Sequence, residues 1–174
     1  TSGIESKQNY IYRSIVADCL RVMDYLVSCN DVDSQKISLV GGDLALFTAA
    51  LRDSASVLFY TPSLFYKALH KAKATQNYPL EEFNDYLRSF PQSINQISQT
   101  LAYFEPMNFA SRVKSEVMLM EESEGDANDL AVSFAREIER SGSKHSSYKD
   151  GVVLAEWLSK KLQTRETLVP MHWR

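Results

Sequence analysis

Residues 36–60 carry the pattern that most restricts what this chain can fold into. Ile37-Ser38-Leu39-Val40 is a short run, β-branched at both ends and bounded by turn residues, and Gly41-Gly42 stops it. The stretch from Leu44 to Leu51 is small and apolar, Arg52-Asp53-Ser54 closes it, and Ser56-Val57-Leu58-Phe59-Tyr60 has strand character again. Short apolar runs of this kind, with no polar alternation, are those of strands buried on both faces. Strand, helix and strand in succession predict a right-handed crossover and a parallel sheet.

The rest of the chain supplies helices to cover that sheet. From 10 to 28, Tyr12, Ile15, Val16, Cys19, Leu20, Met23, Leu26 and Val27 recur at helical spacing. Leu64 to Ala74 reads as a helix, with Thr61-Pro62-Ser63 before it as stop and cap. Pro79 and Pro91 bracket an amphipathic segment, Leu80 to Phe90, and Ile94 to Phe104 is helical. Val117-Met118-Leu119-Met120 predicts a third buried strand, followed by the acidic run 121–126. Asn128 is placed to cap a helix reaching Arg140, which Ser141-Gly142-Ser143 breaks, and Val152 to Leu162 forms a last helix. The expected fold is α/β, three or four mostly parallel strands flanked by helices. It forms one domain over 1–162 with a tail from 163 to 174, as suits 174 residues.

Composition excludes several functions. A net charge of −3 with both signs interspersed leaves no basic footprint for nucleic acid or an anionic membrane. No apolar run is long enough to span a bilayer, no signal peptide is visible, and Cys19 and Cys29 show neither a disulfide nor a metal spacing. These features favour a cytoplasmic setting, and Thr1, standing where an initiator Met would, fits a processed or trimmed start. Nothing matches a phosphate loop or a dinucleotide fingerprint, so neither cofactor nor metal is expected.

Three stretches resemble the acetyl xylan esterase / cephalosporin-C deacetylase family of α/β-hydrolases. "NYIYRSIVADCLRVMDYL" is similar to the family's Tyr-Tyr-Arg-x-x-x-x-Asp-x-x-Arg helix, placing Tyr12, Arg13, Asp18 and Arg21 on the pattern. "VDSQKISLVGG" resembles its entry to the nucleophile strand. "TLAYFEPMNFASRVKSEVMLM" resembles its Ser-Tyr-Phe-Asp-x-x-Asn-x-x-x-Arg-x-x-x-Pro run, with Tyr103, Phe104, Asn108, Arg112 and Lys114 in register. The likeness covers about residues 1–162 and implies the second half of a hydrolase fold that removes acetyl groups from sugars or small esters through a Ser, Asp, His triad. Carried over, the serine position holds Asp43, the carboxylate position Asp126, and the nearest base is His145. A second alignment sets Tyr148-Lys149-Asp150-Gly151 on the family's histidine turn and leaves no base.

Each candidate has a chemical and a plain reading. Asp43 is either a nucleophilic carboxylate, working with a histidine-activated water, or a helix N-cap; the cap explains it without chemistry. Asp126 is a triad acid or a solvated loop residue, and His145 a general base or an exposed loop histidine. His70 and His172 have weaker claims. The acidic Glu121-Glu122-Glu124 cluster reads as solvated rather than cation-binding. The aromatics Phe59, Tyr60, Phe65, Tyr66, Tyr103 and Phe104 line a pocket or fill the core. With Asp43 in place of serine and the amino-terminal half of the fold absent, the expectation is a hydrolase homologue without turnover. Its exposed sheet edge at Ile37 to Val40 would then be completed by an amino-terminal fragment, a second copy or a local segment. An aspartate-nucleophile hydrolase is the third reading.

Overall fold

The computed structural model describes residues 1–123 and 125–164. Glu124, His172 and the tail from 165 onward lie outside the described residues. Four strands, β1 (Ser38–Gly41), β2 (Val57–Tyr60), β3 (Glu116–Glu121) and β4 (Glu139–Gly142), lie side by side in that order. All neighbours are parallel, with Leu39 opposite Leu58, Leu58 opposite Val117, and Leu119 opposite Arg140.

Sequential parallel strands with right-handed crossovers put every connecting helix on one face. Accordingly α2 (Asp43–Leu51), α6 (Met107–Ala110) and α7 (Asn128–Val132) cover the face formed by Leu58, Tyr60, Val117 and Leu119. The other face, formed by Val57, Phe59, Met118 and Met120, is covered by Trp157 and Leu158 of α8 (Ser147–Leu162). The two residue sets alternate along each strand because successive side chains point to opposite faces. A second core, around Phe47, Phe65, Phe83, Ile97, Leu101 and Phe104, joins α2 to α1 (Ile11–Ser28), α3 (Ala68–Ala72), α4 (Glu81–Ser89) and α5 (Ile94–Tyr103). Phe65 and Phe104 stack with ring centroids 5.3 Å apart, and Tyr10 meets both edge-on.

Several sequence expectations are corrected. The helix expected to run from Asn128 to Arg140 stops at Val132, and residues 139–142 instead pair with β3 as a fourth strand. That segment is wholly polar because it is an edge strand, half-exposed, so hydrophobic periodicity gave no signal for it. Asn128 is not the cap of α7: the cap position is Ala127, and the Asn128 side chain accepts from Arg140. α3 starts at Ala68 rather than Leu64, because Lys67 has φ 53° and ψ 39°, a left-handed conformation no right-handed helix runs through. Ser63 does not cap it but bonds Asp43. α8 begins at Ser147, five residues before the expected Val152, with Ser146 Oγ accepting from Lys149 N. Tyr148 to Gly151 therefore lie in the first turns of a helix, and His145 lies in the β4–α8 loop.

Candidate active site

The Gly41-Gly42-Asp43 turn is built by close approach. Gly41 has φ 147°, a conformation that favours glycine, and a Cβ on Gly42 would collide with the Ser63 side chain of the loop after β2. The turn therefore presses against residues 61–65, and Asp43 ties the two together. Its carboxylate accepts from the Tyr60 hydroxyl (2.9 Å) and Ser63 N–H (3.3 Å) at Oδ1, and from the Ser63 hydroxyl (3.0 Å) and Phe65 N–H (2.7 Å) at Oδ2. Asp43 is 2% exposed. Burial, the Asp43 charge and the hydrogen bond to it hold the Tyr60 phenol well above its usual range. The cap reading is thus corrected: Asp43 is the first residue of α2, the cap position is Gly42, and the side chain serves the following loop rather than its own helix. Its charge still lies at the positive end of α2.

Beyond Phe65 the same segment hangs on two more carboxylates. Lys67 N–H donates to Glu105 Oε2 (3.1 Å), and the Tyr66 hydroxyl donates to Asp129. Lys67 Nζ pairs with the other oxygen of Asp129 at 2.8 Å. Burial pushes the Glu105 carboxyl above its ordinary value, and burial followed by the Asp129 contact does the same to Tyr66.

This segment forms one wall of a cavity of about 1090 Å³ at the carboxyl ends of the strands. In open parallel sheets that is where ligands bind. Val40 and Gly41 of β1, Phe59 of β2, and Met120 and Glu121 of β3 form the floor. Asp126 and His145 both line it; Asp43 does not. Asp126 is exposed, and its Oδ2 accepts from Ser123 N–H at 3.0 Å. His145 is exposed too, with φ 51° in a loop that Asp150 organises by accepting from Lys144 N–H (2.7 Å) and the Ser143 hydroxyl (2.6 Å). Those two bonds, with the nearby His145 charge, hold the Asp150 carboxyl below its usual range. No hydrogen bond joins His145 to Asp126 among the described residues. Of the aromatics, Phe59 and Tyr66 reach the cavity, Tyr60, Phe65 and Phe104 are core, and Tyr103 is exposed.

Glu121 departs from the solvated reading. It ends β3, is 2% exposed, and takes both forks of Arg140 (3.0 and 2.8 Å) together with Ala127 N–H (2.9 Å). Burial alone raises a carboxyl, yet Arg140 and Ala127 outweigh it and hold Glu121 below its ordinary value. The pairing fastens the polar β4 to the sheet and fixes the start of the Asp126 turn. No His, Cys, Asp and Glu grouping among the described residues is arranged to hold a metal. Sequence reasoning missed Lys67, Lys71 and Tyr78 of the cavity wall, which carry no motif.

Comparison with known proteins agrees with this fold. A family model described as acetyl xylan esterase matches residues 1–136. The acetyl esterase Axe7A of Xylanibacter ruminicola is 32% identical over 126 residues, 68% of this chain and 27% of that protein. The acetyl xylan esterase of a Paenibacillus species superposes with a TM-score of 0.76 at 21% identity, over 91% of this chain and 55% of that one. Acetyl xylan esterase 1 of a Thermoanaerobacterium species gives 0.66 at 18%, with the same coverage. These superpositions assign the α/β-hydrolase fold, of which the chain spans about half the length found in the solved structures. The chain belongs to the acetyl xylan esterase family.

Proposed function

We propose that this chain is the carboxyl-side part of an acetyl xylan esterase-like hydrolase, that its cavity receives an acetylated sugar or small ester, and that it does not turn such esters over. One observation carries the proposal: the residue at the nucleophile turn is a buried aspartate whose two oxygens are occupied by four donors, off the cavity where Asp126 and His145 lie. Acyl transfer needs a hydroxyl or thiol open to the carbonyl and a base within reach of its proton. A nucleophilic carboxylate likewise needs a free oxygen, which argues against the aspartate-ester reading. Incubated with p-nitrophenyl acetate, the chain is expected to release nitrophenolate no faster than its Asp43→Ala and His145→Ala variants. Turnover that either substitution abolishes in a folded protein would overturn the proposal.

A second reading, compatible with the first, is a module whose sheet a partner completes. Ser56 N–H and Thr61 N–H bond the carbonyls of Ile37 and Gly41, so by alternation the backbone groups of Ser38 and Val40 face away from β2. β1 is an edge in the described sheet, and the chain spans 55% of the two solved relatives. Both facts support a missing neighbour at that edge.

A further inference from the structure

On the β1 side of the molecule a helix face is open as well as a strand edge. α1 has 18 residues, of which Met23 alone is buried. Its neighbours fix its place in the helix layer. α2 covers β1 and β2, with α6 beside it over Leu58 and Leu119. α1 packs along α2 on the other side: Val16 joins the core around Phe47, Asp24 pairs with Arg52 after the end of α2 at 2.7 Å, and a groove floored by Phe47 and Leu51 separates α1 from Phe109 of α6. Packed helices stand about 8–10 Å apart and paired strands about 4.8 Å. α1 therefore lies about two strand spacings outward of α2 and overhangs the free edge. It meets the sheet where Met23 and Leu26 pack with Ile37, Leu39 and Ala55. A step further round the helix from Leu26, away from Val16 and Leu20, runs the apolar stripe Ile11, Ile15 and Val22. Ile11 is 45% and Val22 57% exposed. β1 itself, Ser38-Leu39-Val40-Gly41, has neither the charge nor the proline that usually guards a free edge.

The overhang decides what fits there. In a two-fold pair, β1 would run antiparallel to its mate about an axis normal to the sheet, with the helices of both copies on one face. The two α2 helices would then stand about 10 Å apart, which leaves no room between them for two copies of α1. The segment 143–147 follows β4, at the opposite edge. What fits is a sheet segment about two strands wide, apolar and free of helices on the side that meets α1. The solved relatives, of which this chain spans 55%, have more fold than this chain supplies. Resting on the completed-sheet reading, we infer that β1 and the α1 stripe form one docking surface. Its occupant is a pair of apolar strands from the amino-side part of a hydrolase fold, seated beneath α1, and not a second copy of this chain.

Co-expression of the chain with the part of the Paenibacillus acetyl xylan esterase on the amino side of the superposed region tests this. A 1:1 complex is expected by light scattering, with the Val40 amide gaining hydrogen-exchange protection. The dissociation constant, read on dilution, is expected to rise at least tenfold in Val22→Glu, which puts a charge where a valine becomes buried. Val132→Glu, on α7 at a position 82% exposed, is expected to leave it as in the parent. Each variant is first shown to melt as the parent does. Binding that Val40→Pro abolishes and Val22→Glu leaves unchanged overturns the inference while the completed-sheet reading stands. So does a dimer of the chain alone that Val40→Pro dissolves. A chain that stays monomeric and takes up no fragment overturns the completed-sheet reading, and the inference with it.

Discussion

At the scale of single residues, Asp43 ties the turn after β1 to the loop after β2. A catalytic side chain at the tip of a strand–turn–helix must face the open end of the sheet. Here the carboxylate turns toward Tyr60, Ser63 and Phe65 and binds the loop that walls the cavity. Removing it leaves the Tyr60 hydroxyl and the Phe65 N–H buried without an acceptor. Each such orphan costs about 1–3 kcal/mol, so Asp43→Ala is expected to destabilise the chain by about 3 kcal/mol or more, read from urea unfolding. Asp43→Ser puts in a side chain too short to replace those bonds. It is expected to lose comparable stability and to gain no hydrolysis of p-nitrophenyl acetate; a folded, active Asp43→Ser protein would show the tie to be dispensable.

At the scale of elements, β4 is held by one ion pair more than by its own composition. Its residues have no apolar side chain to bury, and Glu121–Arg140 supplies what packing does not. Glu121 is buried but Arg140 is exposed, so Arg140→Met, which strands the Glu121 charge, is expected to cost about 1–3 kcal/mol, and β4 amides to lose hydrogen-exchange protection before those of β2. The pair also makes a signed pH effect. Because the Glu121 carboxyl is held below its unfolded value, its stabilisation is fully present above the ordinary glutamate range and is lost as pH falls through the folded value. The Tm of the parent chain is therefore expected to drop more steeply than that of Glu121→Gln on acidification below that range; parallel curves would show Glu121 contributes nothing to it.

At the scale of the whole molecule, the sheet ends differ. β4 is fastened by Arg140, whereas β1 presents outward backbone groups with Val40 47% exposed. Unpaired edges template association. In solution the chain is expected to have a mass above 19.8 kDa, or to bind an added amino-terminal part of a hydrolase fold. Proline is tolerated where an edge N–H faces outward, so Val40→Pro is expected to abolish that association without unfolding the chain. A strictly monomeric mass, unchanged by an added amino-terminal fragment, would count against the completed-sheet reading.

How far the sequence could be read follows from the range of the interactions involved. The helix at 11–28, the strand–turn–helix–strand of residues 37–60 and the buried β3 are written in periodicity and turn residues spanning a few positions, and the family runs around Tyr12 and Tyr103 made the fold legible as well. The position of Asp126 at the carboxyl end of the sheet was also within reach, since it follows the buried β3. His145, in contrast, follows β4, a strand that periodicity did not show, and Asp43, expected on the same face as Asp126, lies off the cavity. What tertiary structure alone decided depends on partners brought together by folding. Asp43 meets groups 17 to 22 residues away, Tyr66 an acid 63 residues away, and β4 exists because Arg140 reaches a buried Glu121 that looks solvated in sequence. Local sequence determined which segments are helix and strand; only the packed molecule decided whether a carboxylate would be a cap, a tie or part of a cavity wall, because that depends on which donors surround it and whether water still reaches it.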